Sequence, residues 1–82
     1  MRTENKLMEK LARLEHLRWA RWQKYVFSIC DPLDGNDLAL VIPGIYVENW
    51  RRQINTPYSK LTEKEKESDR EQVREYWKYV KP

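Results

Sequence analysis

Cysteine, histidine and glycine are all scarce in this sequence, and each scarcity removes a class of protein. A single cysteine, Cys30, rules out an internal disulfide, and a single histidine, His16, leaves no Cys/His set that could hold zinc. Two glycines are too few for a phosphate-cradling loop of the usual kind or for long flexible linkers. Long apolar runs are missing too. The longest is Leu38-Ala39-Leu40-Val41-Ile42, far short of the ~20 residues that cross a bilayer. The opening residues, Met1-Arg2-Thr3-Glu4-Asn5-Lys6, carry no apolar signal core. Together with a lone thiol, these absences predict a cytoplasmic protein that makes no membrane contact.

What is present is 82 residues, enough for one domain spanning 1–82 around one small core. At this size the gain from burial and the entropy of ordering nearly cancel, so a homodimer is expected to supply the missing stabilisation. Charged residues make up 35% of the chain, yet four Trp, five Tyr and one Phe argue against disorder. The charge is unevenly spread: residues 1–25 are net +4, residues 26–59 net −2 and residues 60–82 net +1. That balance permits a nucleic acid or a phosphorylated small molecule as partner without demanding either.

The spacing predicts a first helix over Thr3 to Ile29. Leu7, Leu11, Leu14, Arg18, Trp22, Tyr25 and Ile29 recur at intervals of three and four, and Met8, Trp19 and Val26 widen the stripe on one side. Thr3 is the expected N-cap, with Glu4 in the first turn. Glu15 and Arg18 sit three apart and are expected to pair. Asp31-Pro32 and Asp34-Gly35-Asn36-Asp37 end this helix with turn chemistry, and 38–42 follows as a short extended segment. That segment could meet its mate across a two-fold axis or return onto its own chain. Pro43 opens a second helix, whose apolar face is Tyr46, Val47, Trp50 and Ile54. After a loop at 55–58, Thr62-Glu63-Lys64-Glu65 forms a capping box at the start of a third helix, with Val73, Tyr76, Trp77 and Val80 as its stripe. The fold class is therefore mainly α.

Chemistry-bearing residues fall on these helices in a suggestive way. Running the third stripe backwards by threes and fours reaches Asp69 and Lys66, charges pointing where core side chains point. They form either an ion pair or cap that holds the preceding loop, or the polar wall of a ligand pocket. Arg70, beside Asp69, is either salt-bridged or offers its fork of donors to a phosphate or carboxylate. His16 and Trp19 lie one turn apart on a shared flank. They either pack at the core edge or stack on a flat ring, as proteins do with bases. Catalysis has little support. His16 and Cys30 are fourteen residues apart, or roughly 20 Å along one helix, too far for a nucleophile and its base. No enzymatic activity, cofactor or metal site is expected.

The string from Pro57 to Arg70 resembles the RyR domain, the repeat of ryanodine receptors, which also occurs as small stand-alone phage and bacterial proteins. The matching positions are Pro57, Tyr58, Leu61, Lys66, Asp69 and Arg70, with His16 and Trp19 upstream; Ser68 replaces the aromatic usual before Asp-Arg in receptor repeats. The resemblance covers about Leu11 to Val80. It implies a three-helix RyR-like domain with a short extended segment between helices 1 and 2, in the cytoplasm of a bacterial host. It also implies nucleotide-like ligands. The candidate ligand-binding residues are His16, Trp19, Trp22, Tyr58, Asp69 and Arg70. Trp19, with Tyr58 or Trp22, would stack on the base, Arg70 would contact phosphate, and Asp69 or His16 would fix ribose or base edges. Receptor repeats come in tandem pairs, and a two-fold homodimer would rebuild the pair from this single copy.

The leading expectation is thus a non-enzymatic, phage-type binding domain for a nucleotide-derived small molecule, acting in signal sensing or sequestration. A protein–protein adaptor using exposed aromatics is the alternative. A nucleic-acid-binding module using Arg13, Arg18, Arg21, Lys24, Arg51 and Arg52 comes third.

Overall fold

The computed structural model describes residues 2–80, with side chains from residue 5 onward. The first helix begins at Arg2, so Thr3, the expected N-cap, stands within its first turn rather than before it; the role of Glu4 lies outside the described side chains. Three helices, α1 (Arg2–Ile29), α2 (Gly44–Ile54) and α3 (Glu63–Val80), account for most of the chain. A two-stranded antiparallel sheet, β1 (Asp31–Leu33) and β2 (Asn36–Val41), joins α1 to α2, and a single 3-10 turn (Tyr58–Lys60) precedes α3. The chain is mainly α with a short extended segment between the first two helices, as the hydropathy pattern predicts. No described helix is long and apolar enough to cross a membrane.

The segment between α1 and α2 is more ordered than the turn-plus-strand reading. Asp31 and Pro32, read from sequence as helix-ending turn residues, instead start β1. Asp31 pairs with Val41 and Pro32 with Leu40, and a bulge follows before Leu33 pairs with Asn36. The reversal is carried by Asp34 (φ 51°) and Gly35 (φ 76°), the two left-handed positions that a tight hairpin turn needs. Asn36 then accepts a hydrogen bond from the Leu38 amide on its Oδ1 at 3.0 Å. Of the two pairings open to 38–42, the strand takes the one within its own chain. Pro32 fits because an edge strand tolerates a missing N–H.

Local chemistry explains the helix ends. Pro43 stands just before α2 as its cap residue, and its carbonyl accepts from the Tyr46 and Val47 amides at 3.0 and 3.3 Å. Asn55 closes α2 twice over: its backbone N–H reaches the Arg51 and Arg52 carbonyls, and its side-chain amide donates to the Arg51 carbonyl at 2.8 Å. At α3 the capping box forms as the sequence predicts. The Glu65 amide donates to Thr62 Oγ1 at 3.2 Å, and the Thr62 amide donates to Glu65 Oε1 at 3.0 Å.

The chain divides into two compact units, Met1–Arg21 with Thr62–Pro82, and Trp22–Leu61. In the first, α1 and α3 run antiparallel, and polar contacts tie them together. Tyr76 donates to Glu15 Oε2 at 2.9 Å, Arg21 donates to both Glu75 oxygens at 2.7 and 2.8 Å, and Lys10 lies 5.8 Å from the Tyr79 ring centre. In the second, Trp22 packs on Tyr25 and Trp50, and Trp50 on Tyr46, with ring centres 5.4–5.8 Å apart. Ile54, expected on the apolar face of α2, is largely exposed. It stands one residue before the cap, at the end of the helix, beyond the turn that carries Tyr46, Val47 and Trp50.

No described residue is buried; the most covered apolar side chains are half-buried, Leu11 and Leu14 in the first unit and Val26, Val47 and Trp50 in the second. The stripe assigned to α3 needs correction. Of its members, Tyr76 turns towards α1, whereas Val73, Trp77 and Val80 are each more than half exposed. The side facing α1 is formed instead by Gln72, Glu75, Tyr76 and Tyr79. Hydroxyl and carboxylate tips there find partners on α1, which an apolar side chain could not do.

Candidate functional site

The six candidate residues are divided between the two units. His16 and Trp19 on α1, and Asp69 and Arg70 on α3, belong to the first. Trp22 on α1 and Tyr58 in the 3-10 turn belong to the second. His16 and Trp19 do meet: their ring centres are 6.2 Å apart and their planes differ by 23°, a near-parallel stack. Trp19 remains 55% exposed, so a large part of the indole stays open to a partner. Trp22 spends its ring edges on Tyr25 and Trp50 and acts as the hub of an aromatic cluster.

Arg70 is committed to carboxylates. One of its terminal nitrogens lies 3.0 Å from Glu63 and 3.3 Å from Glu67, and Glu67 is also gripped by Arg74 at 2.6 Å. The Arg70 bond holds the Glu63 carboxyl below its usual range; Arg74 first and then Arg70 do the same for Glu67. An incoming phosphate would have to compete with these glutamates for the guanidinium. Asp69, anticipated among core-facing side chains, is exposed. Its position does lie on the Val73 and Val80 side of α3, but that side is open, so the charge stays in water and incurs no burial cost.

The strongest electrostatic feature was only half visible in the sequence. Glu15 and Arg18 form the expected ion pair on one helix, with Arg18 Nε donating to Glu15 Oε2 at 3.0 Å. Tyr76 from α3 adds its hydroxyl to the same carboxylate. Arg18 and then Tyr76 pull the Glu15 carboxyl down to about 2, and desolvation together with that carboxylate raises the Tyr76 hydroxyl. This trio fastens α3 to α1: both oxygens of the Glu15 carboxylate accept from Arg18, and one also accepts from Tyr76.

A second grouping was missed. Glu15 and Tyr76 meet on one flank of the α1–α3 pair, whereas Arg21–Glu75 and Lys10–Tyr79 meet on the other. Trp19 is four residues on from Glu15, and Met8 seven before it. Val73 and Val80 lie three before and four after Tyr76. Helical spacing therefore places Met8, Trp19, Val73 and Val80 on the Glu15–Tyr76 flank, with Trp77 at its margin. All five side chains are more than half exposed. The widening of the α1 stripe by Met8 and Trp19 was the signal that could have revealed it.

Three open hollows mark the surface. One of about 460 Å³ is lined by Ala12, Arg13, His16 and Leu17, and one of about 340 Å³ by Asn5, Lys6, Glu9, Lys10 and Arg13. The third, about 520 Å³, lies within the second unit between Phe27, Cys30, Pro32, Asp37, Leu38 and Leu40. None of these three joins Trp19 to Arg70. Among the described residues no group of three or more His, Cys, Asp and Glu side chains is arranged to hold a metal. No family model matches the chain, and neither a curated protein nor a solved structure does.

Proposed function

We propose that this chain is a non-enzymatic interaction module whose working surface is the open apolar flank of the α1–α3 pair. The reading rests on one observation: Met8, Trp19, Val73, Trp77 and Val80, which share one flank, are each more than half exposed. Contiguous apolar surface on a small domain marks an interaction site more often than not. Tryptophan is the side chain most enriched at the energetic centres of interfaces, and this flank carries Trp19 and Trp77. Two of the α1 cations named for a nucleic acid, Arg18 and Arg21, are paired with Glu15 and Glu75, which weighs against a polyanion as partner. The test is site-specific photo-crosslinking in cells, with a benzophenone amino acid in place of Val80 on the flank and, separately, in place of Lys64 on the Glu75 side. A discrete protein adduct from position 80 and none from position 64 is expected. Equal labelling from both positions, or none from either, overturns the reading.

A second reading keeps the nucleotide-derived small molecule, and one observation favours it: the half-open Trp19 indole backed by the His16 ring. A base would stack on the free indole surface, with Asp69 available for polar edges and Arg70 exchanging a glutamate for phosphate. The RyR-like string through Tyr58, Asp69 and Arg70 points the same way. A thermal-shift panel of mono-, di- and cyclic nucleotides tests it. Native-state binding stabilises by about 2.7 kcal/mol at a hundredfold excess over Kd. The shift should vanish in Trp19→Ala, and no shift across the panel refutes this reading.

A further inference from the structure

We propose that Lys6, Lys10, Arg13 and Lys78 form a second working surface, one that holds the phosphate backbone of a nucleic acid. It is independent of the apolar flank, and the cations spent on Glu15 and Glu75 take no part in it. Charge is concentrated here. Residues 1–13 and 78–82 carry six basic and two acidic groups, net +4, whereas the rest of the chain is net −1. The fold brings the two segments together. The Lys10 and Lys78 ammoniums, one from each helix, stand 5.8 and 5.1 Å from the centre of the same Tyr79 ring. Lys6, Lys10 and Arg13 follow one another at intervals of four and three, on one face of α1 and over about 10 Å of its length. They line the hollow of about 340 Å³, and all four cations are exposed.

Pairing sets these cations apart. Arg18, Arg21, Arg70 and Arg74 are each bound to a glutamate. Arg13 meets no carboxylate among the described residues, and neither do Lys6, Lys10 and Lys78. Like charges one turn apart on a helix repel, so this row weakens the helix that carries it, and an external anion relieves it. The layout selects the kind of anion. The hollow is open and its lining residues are exposed, so it encloses no small ligand. Cations spread over two turns and two helices suit a charge that repeats along a strand. A bilayer surface would also take up apolar side chains beside the cations. Among the described residues of this unit, Leu17, one turn beyond Arg13, is the one large apolar side chain on this face that is more than half exposed.

Fluorescence anisotropy of the full chain with a labelled random-sequence DNA duplex tests the proposal. Three to four phosphate contacts should weaken binding about 40- to 150-fold between about 50 and 200 mM salt. The double variant Lys10→Gln/Arg13→Gln should lower the salt slope by about 2. Lys60→Gln/Lys64→Gln removes the same charge elsewhere and should leave the slope unchanged. Acetylation of the unaltered chain gives a readout independent of variant folding: the duplex should protect Lys6, Lys10 and Lys78 and leave Lys60 reactive.

No binding at the lowest salt overturns the proposal, as does a slope lowered equally by the two double variants. Acetylation of Lys6, Lys10 and Lys78 that the duplex leaves unchanged also overturns it. So does retention of the chain on phosphatidylserine vesicles without any binding to duplex, because the surface then belongs to lipid.

Discussion

Replacing Thr62 by alanine removes one half of the reciprocal cap that starts α3, and its cost follows from the geometry. Thr62 Oγ1 accepts the Glu65 amide at 3.2 Å, and Glu65 Oε1 accepts the Thr62 amide at 3.0 Å. Both bonds are exposed, so water competes for the same groups and the net value is that of an ordinary cap, about 1 kcal/mol for the threonine hydroxyl. For a domain of this size, about 1 kcal/mol corresponds to a fall in Tm of about 4–8 °C. Glu65→Ala removes the return bond and should cost less, about 0.5 kcal/mol, because alanine's higher helix propensity offsets part of the loss. The double variant should lose less than the sum, since each half orients the other. The assay is thermal unfolding followed by helical circular dichroism at one fixed protein concentration, which holds any mass-action contribution to Tm constant. Thr62→Ser should restore the wild-type value. A Thr62→Ala melt indistinguishable from wild type would refute the reasoning, as would a Thr62→Ser melt as low as that of Thr62→Ala.

The Glu15 carboxyl, drawn from 4.5 down to about 2 by Arg18 and Tyr76, makes stability pH-dependent in a defined direction. A depressed carboxyl pKa contributes stability that is fully present above 4.5 and lost as pH falls through about 2. Acid titration of Tm should therefore slope downward across that window, and Glu15→Gln should flatten its share of the slope; an unchanged slope contradicts the assignment. Gln72 carries a buried Oε1 without a hydrogen-bond partner on the side of α3 that faces α1. Gln72→Met should stabilise by about 1 kcal/mol by removing the unmet acceptor, and a fall in Tm of that size would mean the oxygen has a partner after all.

Much of the fold was legible because its determinants are local. The periodicity from Leu7 to Ile29, the Thr62–Glu65 box and the Glu15–Arg18 spacing each act within a few residues, and each appears in the structure. The hairpin was less legible, although its turn was written in Asp34-Gly35, the dipeptide that favours two successive left-handed residues. What obscured it was Asp31-Pro32, which reads as a helix stop and is one, yet also starts an edge strand. The candidate site was read least completely. Sequence spacing brought His16 to Trp19, but it could not reveal that Arg70 answers two glutamates one and two turns away.

The sequence alone determined the helices, the cap of α3 and the turn between the strands, because those depend on backbone hydrogen bonds and side chains close along the chain. Only the tertiary structure decided which face of α3 meets α1. An aromatic or branched side chain has the same helical preference whether it faces a neighbouring helix or water, so periodicity could group Val73, Tyr76, Trp77 and Val80 without saying which of them turns inward. The choice was made by partners distant in sequence, with Tyr76 reaching Glu15 and Glu75 reaching Arg21. Once those polar contacts took the seam, Val73, Trp77 and Val80 were left facing outward beside Trp19.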